Sequence, residues 1–420
     1  MVLTNTEHTP SNSVGQLTCP GCGEWTGTPF FTLEGVPAIC TAVWKSETEA
    51  KQCKTGNVRL NLCHSCGLVS NPCLDTKLDY DENYENSLDF SPAFQAYAQA
   101  LAERLRYKYN LRNRRIVEIG SGRGEFLKLL TADGENDCVG YDPAFDGAGT
   151  EWHGVRFVQD YYGERYASEP VDFVTCRHVL EHMEEPLRFL TDLRRTLAAH
   201  GEIAVYFEVP NAFLVFAGQT MWDVIYQHVQ YFTSDSLSGL FQRAGFQVIE
   251  RGVSFQNQFL YVEARVRPDV RKIVPHTHSR LGPLIATFAE RFNKAVSKWS
   301  AYLREARAEG NRIAFWGGGS KGVTFLNVVP GARQIEHVID INPRKQGTYL
   351  PGTGQRVSAP EELVRNPPVS VVTLNPAYVR EIASTLTALG VRAEIVTDLE
   401  QKEINRLTPV HLSDWITASM

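Results

Sequence analysis

Two short stretches of the chain have the residue types and spacing to hold a nucleoside. Residues 116–124 read Ile-Val-Glu-Ile-Gly-Ser-Gly-Arg-Gly, and residues 139–143 read Val-Gly-Tyr-Asp-Pro. An apolar run, a glycine turn, a helix-like stretch and a second apolar run ending in an acid make a βαβ nucleoside-binding unit. The glycines let backbone approach a ligand, and Asp142 stands where a carboxylate accepts both hydroxyls of a ribose. A dinucleotide fingerprint carries its third glycine three residues after the second. Here the order is Gly120, Gly122, Gly124, with Glu118 just ahead of the turn. A carboxylate there disfavours a pyrophosphate and suits a cationic sulfonium or an amino-acid ammonium.

The pattern resembles the S-adenosylmethionine (SAM) site of class I methyltransferases. A plain Rossmann turn for another nucleotide is the alternative. After the third strand, Asp160 is placed to hydrogen-bond an adenine amino group, with Tyr161 beside it, or is a simple turn acid. After the fourth strand comes Arg177-His178-Val179-Leu180-Glu181-His182. Loops at strand carboxyl ends line the ligand crevice of such sheets, so Arg177 and His178 are expected to flank the adenosine. His182 reads as structural or cofactor-side rather than as a base.

The next loops carry the groups that could move a proton. Glu208-Val209-Pro210-Asn211 ends the fifth strand, and Tyr226-Gln227-His228-Val229-Gln230-Tyr231 follows an aromatic-rich run. A histidine flanked by two tyrosines offers a base of suitable pKa and two phenol donors. The competing reading is a buried aromatic cluster with a satisfied histidine.

Metal-ligand spacing appears near the start. Seven of the nine cysteines fall within residues 17–75. Cys19-Pro-Gly-Cys22 and Cys63-His-Ser-Cys66 each put two thiolates on a tight turn with glycine next, Gly23 and Gly67, which frees backbone amides to turn toward sulfur. Four thiolates match the tetrahedral demand of a structural Zn²⁺. A redox pair is the alternative. Cys40, Cys53 and Cys73 read as spare thiols and His64 as a bystander.

Farther on, Arg312-Ile-Ala-Phe-Trp-Gly-Gly-Gly-Ser-Lys321-Gly reads as strand, glycine turn and helix start, where exposed amides and one lysine suit a phosphate. Asp340, ending Val338-Ile339-Asp340, is a second ribose-diol candidate or a strand-ending acid.

These groups need a scaffold. Residues 91–110 have helical apolar spacing: Phe94, Tyr97, Leu101, Leu105 and Tyr109. Strands are expected at 115–119, 138–141, 156–158, 171–176, 203–209, 246–250 and 259–266, with helices at 125–130, 186–199 and 236–244. Such alternation implies a parallel sheet covered by helices on both faces. Residues 267–279 read as a linker and 283–308 as a long amphipathic helix. The organisation is an N-terminal zinc-binding module (1–78), a SAM-binding domain (79–266), the linker and helix (267–309), and a C-terminal Rossmann-like domain (310–420). The fold class is α/β. Residues 1–15 are polar and expected to fray.

At 420 residues the chain is too long for one core. A net charge of -6 argues against a general nucleic-acid binder. There is no basic start followed by an apolar core, and no apolar run long enough to span a bilayer. A cytoplasmic location is expected, where cysteines serve as metal ligands or buried thiols.

Residues 17–410 as a whole resemble the zinc-containing sugar C-methyltransferases of deoxysugar biosynthesis. Asp340-Ile-Asn-Pro-Arg-Lys345-Gln-Gly-Thr-Tyr-Leu-Pro-Gly-Thr353 and Asn375-Pro-Ala-Tyr378 carry the closest likeness. The resemblance implies a seven-stranded class I sheet ending in a reversed hairpin. It implies a zinc module, and a C-terminal domain that holds the nucleotide of a nucleotide sugar, with Lys321, Lys345 and Tyr378 on that side. A structural or dimerising role for that domain is the alternative, and a monomer or a dimer is expected. The family loop resembles Tyr-Glu-His-Val-x-Tyr-Phe, so its proton-abstracting histidine falls on His228 and its second tyrosine on Tyr231. Tyr84 falls where members carry a tyrosine near the cofactor. Glu208, Asn211 and Gln227 fall beside the substrate. Gln227 replaces a glutamate and carries no charge, so it should raise the histidine's basicity less. Methyl transfer from SAM to carbon next to a ketone is the implied reaction. O- or N-methylation, or SAM binding without catalysis, are the alternatives.

Overall fold

The computed structural model describes residues 18–24, 26–72, 74–78, 83–132, 135–145, 147, 154–267 and 281–399. Cys73, the expected fray at 1–15, the linker region 268–280 and the last residues, 400–420, lie outside them.

Three sheets form. The first has strands β1 (Phe31–Pro37), β2 (Thr55–Leu62) and β3 (Val69–Ser70). The second is built from β4 (Arg115–Ile119), β5 (Asp137–Tyr141), β6 (Val155–Val158), β7 (Phe173–Arg177) and β8 (Ala204–Pro210). A short strand β9 (Gln230–Tyr231) interrupts that run, and β10 (Phe246–Ser254) and β11 (Phe259–Val266) complete it. The third has β12 (Ile313–Trp316), β13 (His337–Ile339), β14 (Val357–Ser358), β15 (Ser370–Val372) and β16 (Glu394–Val396).

The central sheet runs β10-β11-β8-β7-β4-β5-β6. Its inner strands are parallel, while β11 lies antiparallel to both β8 and β10. This is the seven-stranded sheet with a reversed terminal hairpin. β7 ends at Arg177 rather than Cys176, and β10 extends four residues past its expected end, because β11 pairs with it out to Ser254.

Each face is covered. The helix Pro92–Lys108 starts with Ser91 capping the Phe94 amide and proline at its first turn. It buries Phe94, Ala98, Leu101 and Leu105 against Ile116, Phe173 and Tyr206. On the other face, Leu190, Leu193 and Leu197 of Pro186–Leu197 meet Leu237, Leu240 and Phe241 of Ser234–Arg243. The long helix is broken at Thr287 into Gly282–Ala286 and Phe288–Ala308.

The N-terminal unit does not close on its own core. Its sheet runs β1-β2-β3-β9, so its last strand comes from the loop that carries His228. Phe31, Leu33, Val58 and Leu60 share one core with Phe216, Trp222, Phe288, Phe292, Trp299 and Phe325. The C-terminal sheet, β14-β13-β12-β15-β16, is parallel throughout. Its segment around Tyr349 and Gly352 bonds back to Trp44 and Ala50 of the N-terminal unit.

Candidate active site

The strand–turn–helix of β4 opens one wall of a cavity of about 1080 Å³. Gly120 sits at φ +70, and a Cβ there would strike Val179 at 2.2 Å. Gly122, at φ +53, has open space where a Cβ would stand. The Gly122 amide donates to Asp142 at 2.8 Å, and the Ala144 amide to its other oxygen at 2.9 Å. The Asp142 carboxylate is thus fixed at the β5 end, facing the cavity.

Glu118 is buried behind this turn, and its Oε2 has no hydrogen-bond partner. Burial pushes its carboxyl up to about 8, against the pull of Arg177. A buried carboxyl without a donor fits an incoming cation. Tyr84, Asp160 and Tyr161 line the same region. Asp160 accepts from Tyr166 at 2.6 Å and pairs with Arg165; the Tyr166 bond first, then the Tyr161 amide and Arg165, hold it below the usual range. Its carboxylate is therefore braced by its own loop as well as facing the cavity.

Arg177 and His178 also line the cavity, over a buried ionic floor. Glu208 is fully buried beneath them, 3.1 Å from Arg177 and 3.2 Å from His178. It also accepts from Tyr206 at 2.9 Å, Ser254 at 3.0 Å and Tyr97. Burial alone would raise its pKa, but Arg177 and His178 hold it below the usual carboxylate range. Glu208 does not border the cavity. Its expected role beside the substrate gives way to one beneath Arg177, whose guanidinium lies 4.2 Å from the Phe126 ring centre.

His228 lines the cavity, 5.0 Å from His182 between ring centres. Burial first, then His182 and Lys321, hold it well below the ordinary histidine range, so the imidazole is neutral. Its neighbours point elsewhere. Tyr226 is buried; its hydroxyl donates to the Thr76 carbonyl at 2.9 Å, with the Thr76 amide and Asp75 also in reach. The Tyr231 hydroxyl bridges the Ile225 carbonyl and amide, each at 3.1 Å. Neither phenol reaches the cavity, so the expectation of two phenol donors is corrected: both brace the loop. Gln227 is corrected too. Its Oε1 accepts from the Cys40 amide at 2.8 Å and the Cys40 thiol at 3.0 Å, away from the cavity.

Asn211 borders the cavity but caps a helix, accepting from the Phe213 amide while donating to Asn257. From the C-terminal unit come Lys321, Lys345 and Tyr378. Lys321 pairs with Asp223 at 2.6 Å, which ties the C-terminal unit to the chain just before His228. Lys345 is buried, with Nζ 3.3 Å from the Gly318 carbonyl. The Gly318 amide donates to Asp340 at 2.8 Å, the same contact as Gly122 with Asp142. Sequence reasoning missed Asp223, Glu85 and Asn342. Glu85 accepts from Asn342 at 3.0 Å, both bordering the cavity, a pairing between distant segments that no local pattern signals.

The four cysteines converge. Sγ of Cys19 lies 3.5 Å from that of Cys66, and Cys22 the same distance from Cys63, with all four within 4.8 Å of one another. Tetrahedral zinc with bonds of about 2.3 Å needs sulfurs separated by roughly 3.8 Å, so the cluster fits. Backbone amides turn to sulfur at both pairs: that of Gly21 to Cys19 at 3.3 Å, that of Glu24 to Cys22 and that of Leu68 to Cys66, while the amides of Gly23 and Gly67 themselves bond the Cys19 and Cys63 carbonyls.

Two family models match. One described as a methyltransferase domain covers residues 91–251, and one described as a C-methyltransferase C-terminal domain covers 280–397. The protein is a SAM-dependent methyltransferase. It is similar to C-methyltransferase NovU of Streptomyces niveus, 26% identical over 286 residues, spanning 64% of this chain and 67% of NovU. Together these matches support a C-methyltransferase family. Among solved structures it resembles a SAM-dependent methyltransferase from Aquifex aeolicus (16% identity, TM-score 0.32, 43% of this chain and 100% of that one). It also resembles the plantazolicin methyltransferase BpumL (13% identity, TM-score 0.34, 43% of this chain and 86% of that one). Neither likeness bears on substrate. Among the described residues no helix is long and apolar enough to cross a membrane.

We propose that Glu118 faces the ammonium of bound SAM, which gives this methyltransferase a measurable proton linkage. With a carboxyl near 8 before SAM binds and ionised beside its ammonium afterwards, binding should release about 0.9 proton at pH 7 and about 0.1 at pH 9. Calorimetry in two buffers of different ionisation enthalpy reads this. Glu118→Gln should remove that contribution; identical release by wild type and variant would exclude Glu118 as its source.

Proposed function

We propose that the protein methylates a carbon next to the ketone of a nucleotide-linked keto-deoxysugar, with His228 as the base. The observation that carries the reading is that His228 borders the same cavity as Asp142 and Glu118 and as Gly317, Lys321 and Lys345. Bound SAM supplies an electrophilic methyl group, with Asp142 accepting from its ribose and Glu118 facing its ammonium. His228 takes the proton from the carbon beside the ketone. Lys321, close enough to His228 to lower its basicity, balances the enolate oxygen in place of the phenols. Asp223 holds that lysine. Lys345 and the glycine turn after β12 suit the phosphates, and Asp340 repeats the Asp142 arrangement for a second nucleoside. The nucleotide sugar is supported by this second βα half and by the resemblance of residues 340–353. The four cysteines hold a structural zinc, with every tetrahedral position filled by protein.

Incubation in D₂O without SAM tests the reading. A nucleotide-linked keto-deoxysugar should exchange the hydrogen beside its ketone, and mass spectrometry after SAM is added should place the new methyl on that carbon. Methylation at oxygen or nitrogen with no exchange would overturn the enolate route.

A further inference from the structure

A second group of possible metal ligands lies at the cavity, apart from the cysteines. One ligand atom each of Glu181, His182 and His228 lies within 4.8 Å of the others. Two details show that the group is prepared for a cation. The Nδ1 of His182 is 2.8 Å from the Gln227 carbonyl. A carbonyl only accepts, so Nδ1 carries the proton and Nε2 the lone pair. Metal-bound imidazoles are oriented in this way by a backbone carbonyl. Glu181 is 1% exposed, and its Oε2 has no hydrogen-bond partner. Its other oxygen lies 3.7 Å from His178. A buried carboxylate oxygen without a donor is costly unless something positive meets it.

The opposing charges are balanced. Lys321 is paired with Asp223 at 2.6 Å, and His178, whose basicity Glu181 and Glu208 raise against burial, lies 3.2 Å from Glu208 and 3.7 Å from Glu181. Both histidines border the cavity, so an ion reaching them from solvent keeps open positions on that side.

We propose that Glu181, His182 and His228 bind one divalent transition-metal ion. Two imidazoles and one carboxylate favour Zn²⁺, Co²⁺, Ni²⁺ or Cu²⁺ over Mg²⁺ and Ca²⁺, which prefer oxygen. The ion occupies the lone pair of His228 that proton abstraction requires. Resting on the base assignment above, this makes the ion an inhibitor of enolisation. The site thereby links methyl transfer to free transition metal, independently of the structural zinc.

Co²⁺ titration of the full chain, its cysteine cluster already filled with zinc, tests the site. A second metal equivalent should bind with weak visible bands and no thiolate charge-transfer absorption. Glu181→Gln and His182→Gln should each weaken it by at least about tenfold. Retained SAM binding is the folding control. Should a variant lose SAM binding, Cu²⁺ on the wild type provides the second reading: paramagnetic resonance should show hyperfine coupling to two imidazole nitrogens. No Co²⁺ beyond the cysteine cluster, unchanged affinity in folded variants, or no nitrogen coupling would overturn the site. Hydrogen exchange beside the ketone separates the two assignments. Metal bound with exchange intact keeps the site and removes His228 as base. Exchange in a chain that binds no second ion keeps the base and removes the site.

Discussion

His228→Asn should lower both methyl transfer and SAM-independent hydrogen exchange by roughly a thousandfold, within the range that general-base removal produces. The asparagine keeps a polar side chain of similar reach but has no basic nitrogen. SAM affinity should stay within about threefold, because the proposed SAM contacts are Asp142, Glu118 and the Gly120–Gly122 turn rather than His228. Tyr226→Phe and Tyr231→Phe are the informative controls. Their hydroxyls bond Thr76, Asp75 and Ile225, so each change should cost about 1 kcal/mol of stability and leave the exchange mechanism in place. Exchange at the wild-type rate in His228→Asn would end its assignment as base. A thousandfold loss in either phenylalanine variant that stays folded would return the phenols to the chemistry.

The second large effect belongs to the cysteine cluster. Cys66→Ser should remove bound zinc and more than about 3 kcal/mol of stability, since metal-binding free energy in such sites is folding free energy. Cys19, Cys63 and Cys66 pack with Leu68 against Phe232, Leu237 and Leu240 on one face of the central sheet. β3, just after Cys66, pairs with β9, just after His228. Loss of metal should therefore reduce exchange as well as melting temperature. Cys40→Ser, equally buried but outside the cluster, should keep its zinc. Metal analysis and thermal unfolding of the same samples decide the matter. An undamaged wild type carrying well under one zinc per chain, or a Cys66→Ser variant with an unshifted transition, would rule out four-thiolate ligation.

The central sheet was legible because its signals are local. Each parallel strand is a short apolar run between turn residues, and Gly120, Gly122 and Asp142 sit within one βαβ unit. β11 was legible from Phe259 to Val266 for the same reason. The site around His228 was less so. The direction of Tyr226 depends on Thr76, and that of Gln227 on Cys40, partners far away in the chain. Period and composition carry no record of such contacts. This bears most on Gln227. A neutral residue there looked like a weakened base, yet its side chain leaves the cavity and its carbonyl orients His182. Glu208 was misread for a related cause. A carboxylate at a strand's carboxyl end looks available, and only the placement of Arg177 and His178 over it shows that it is spent below the floor.

The pairing of β3 with β9 also sets an order of assembly. As the chain leaves the ribosome, the N-terminal strands emerge before the strand that completes their sheet. The β3 edge stays open until the central sheet has been synthesised through β8 and the loop beyond it has returned. Pairing segments so distant along the chain is slow, because loop closure comes before the contacts that reward it. The cysteine pairs thus belong to a unit that finishes late although it is made first, and the loop bearing His228 takes its final shape in the same event.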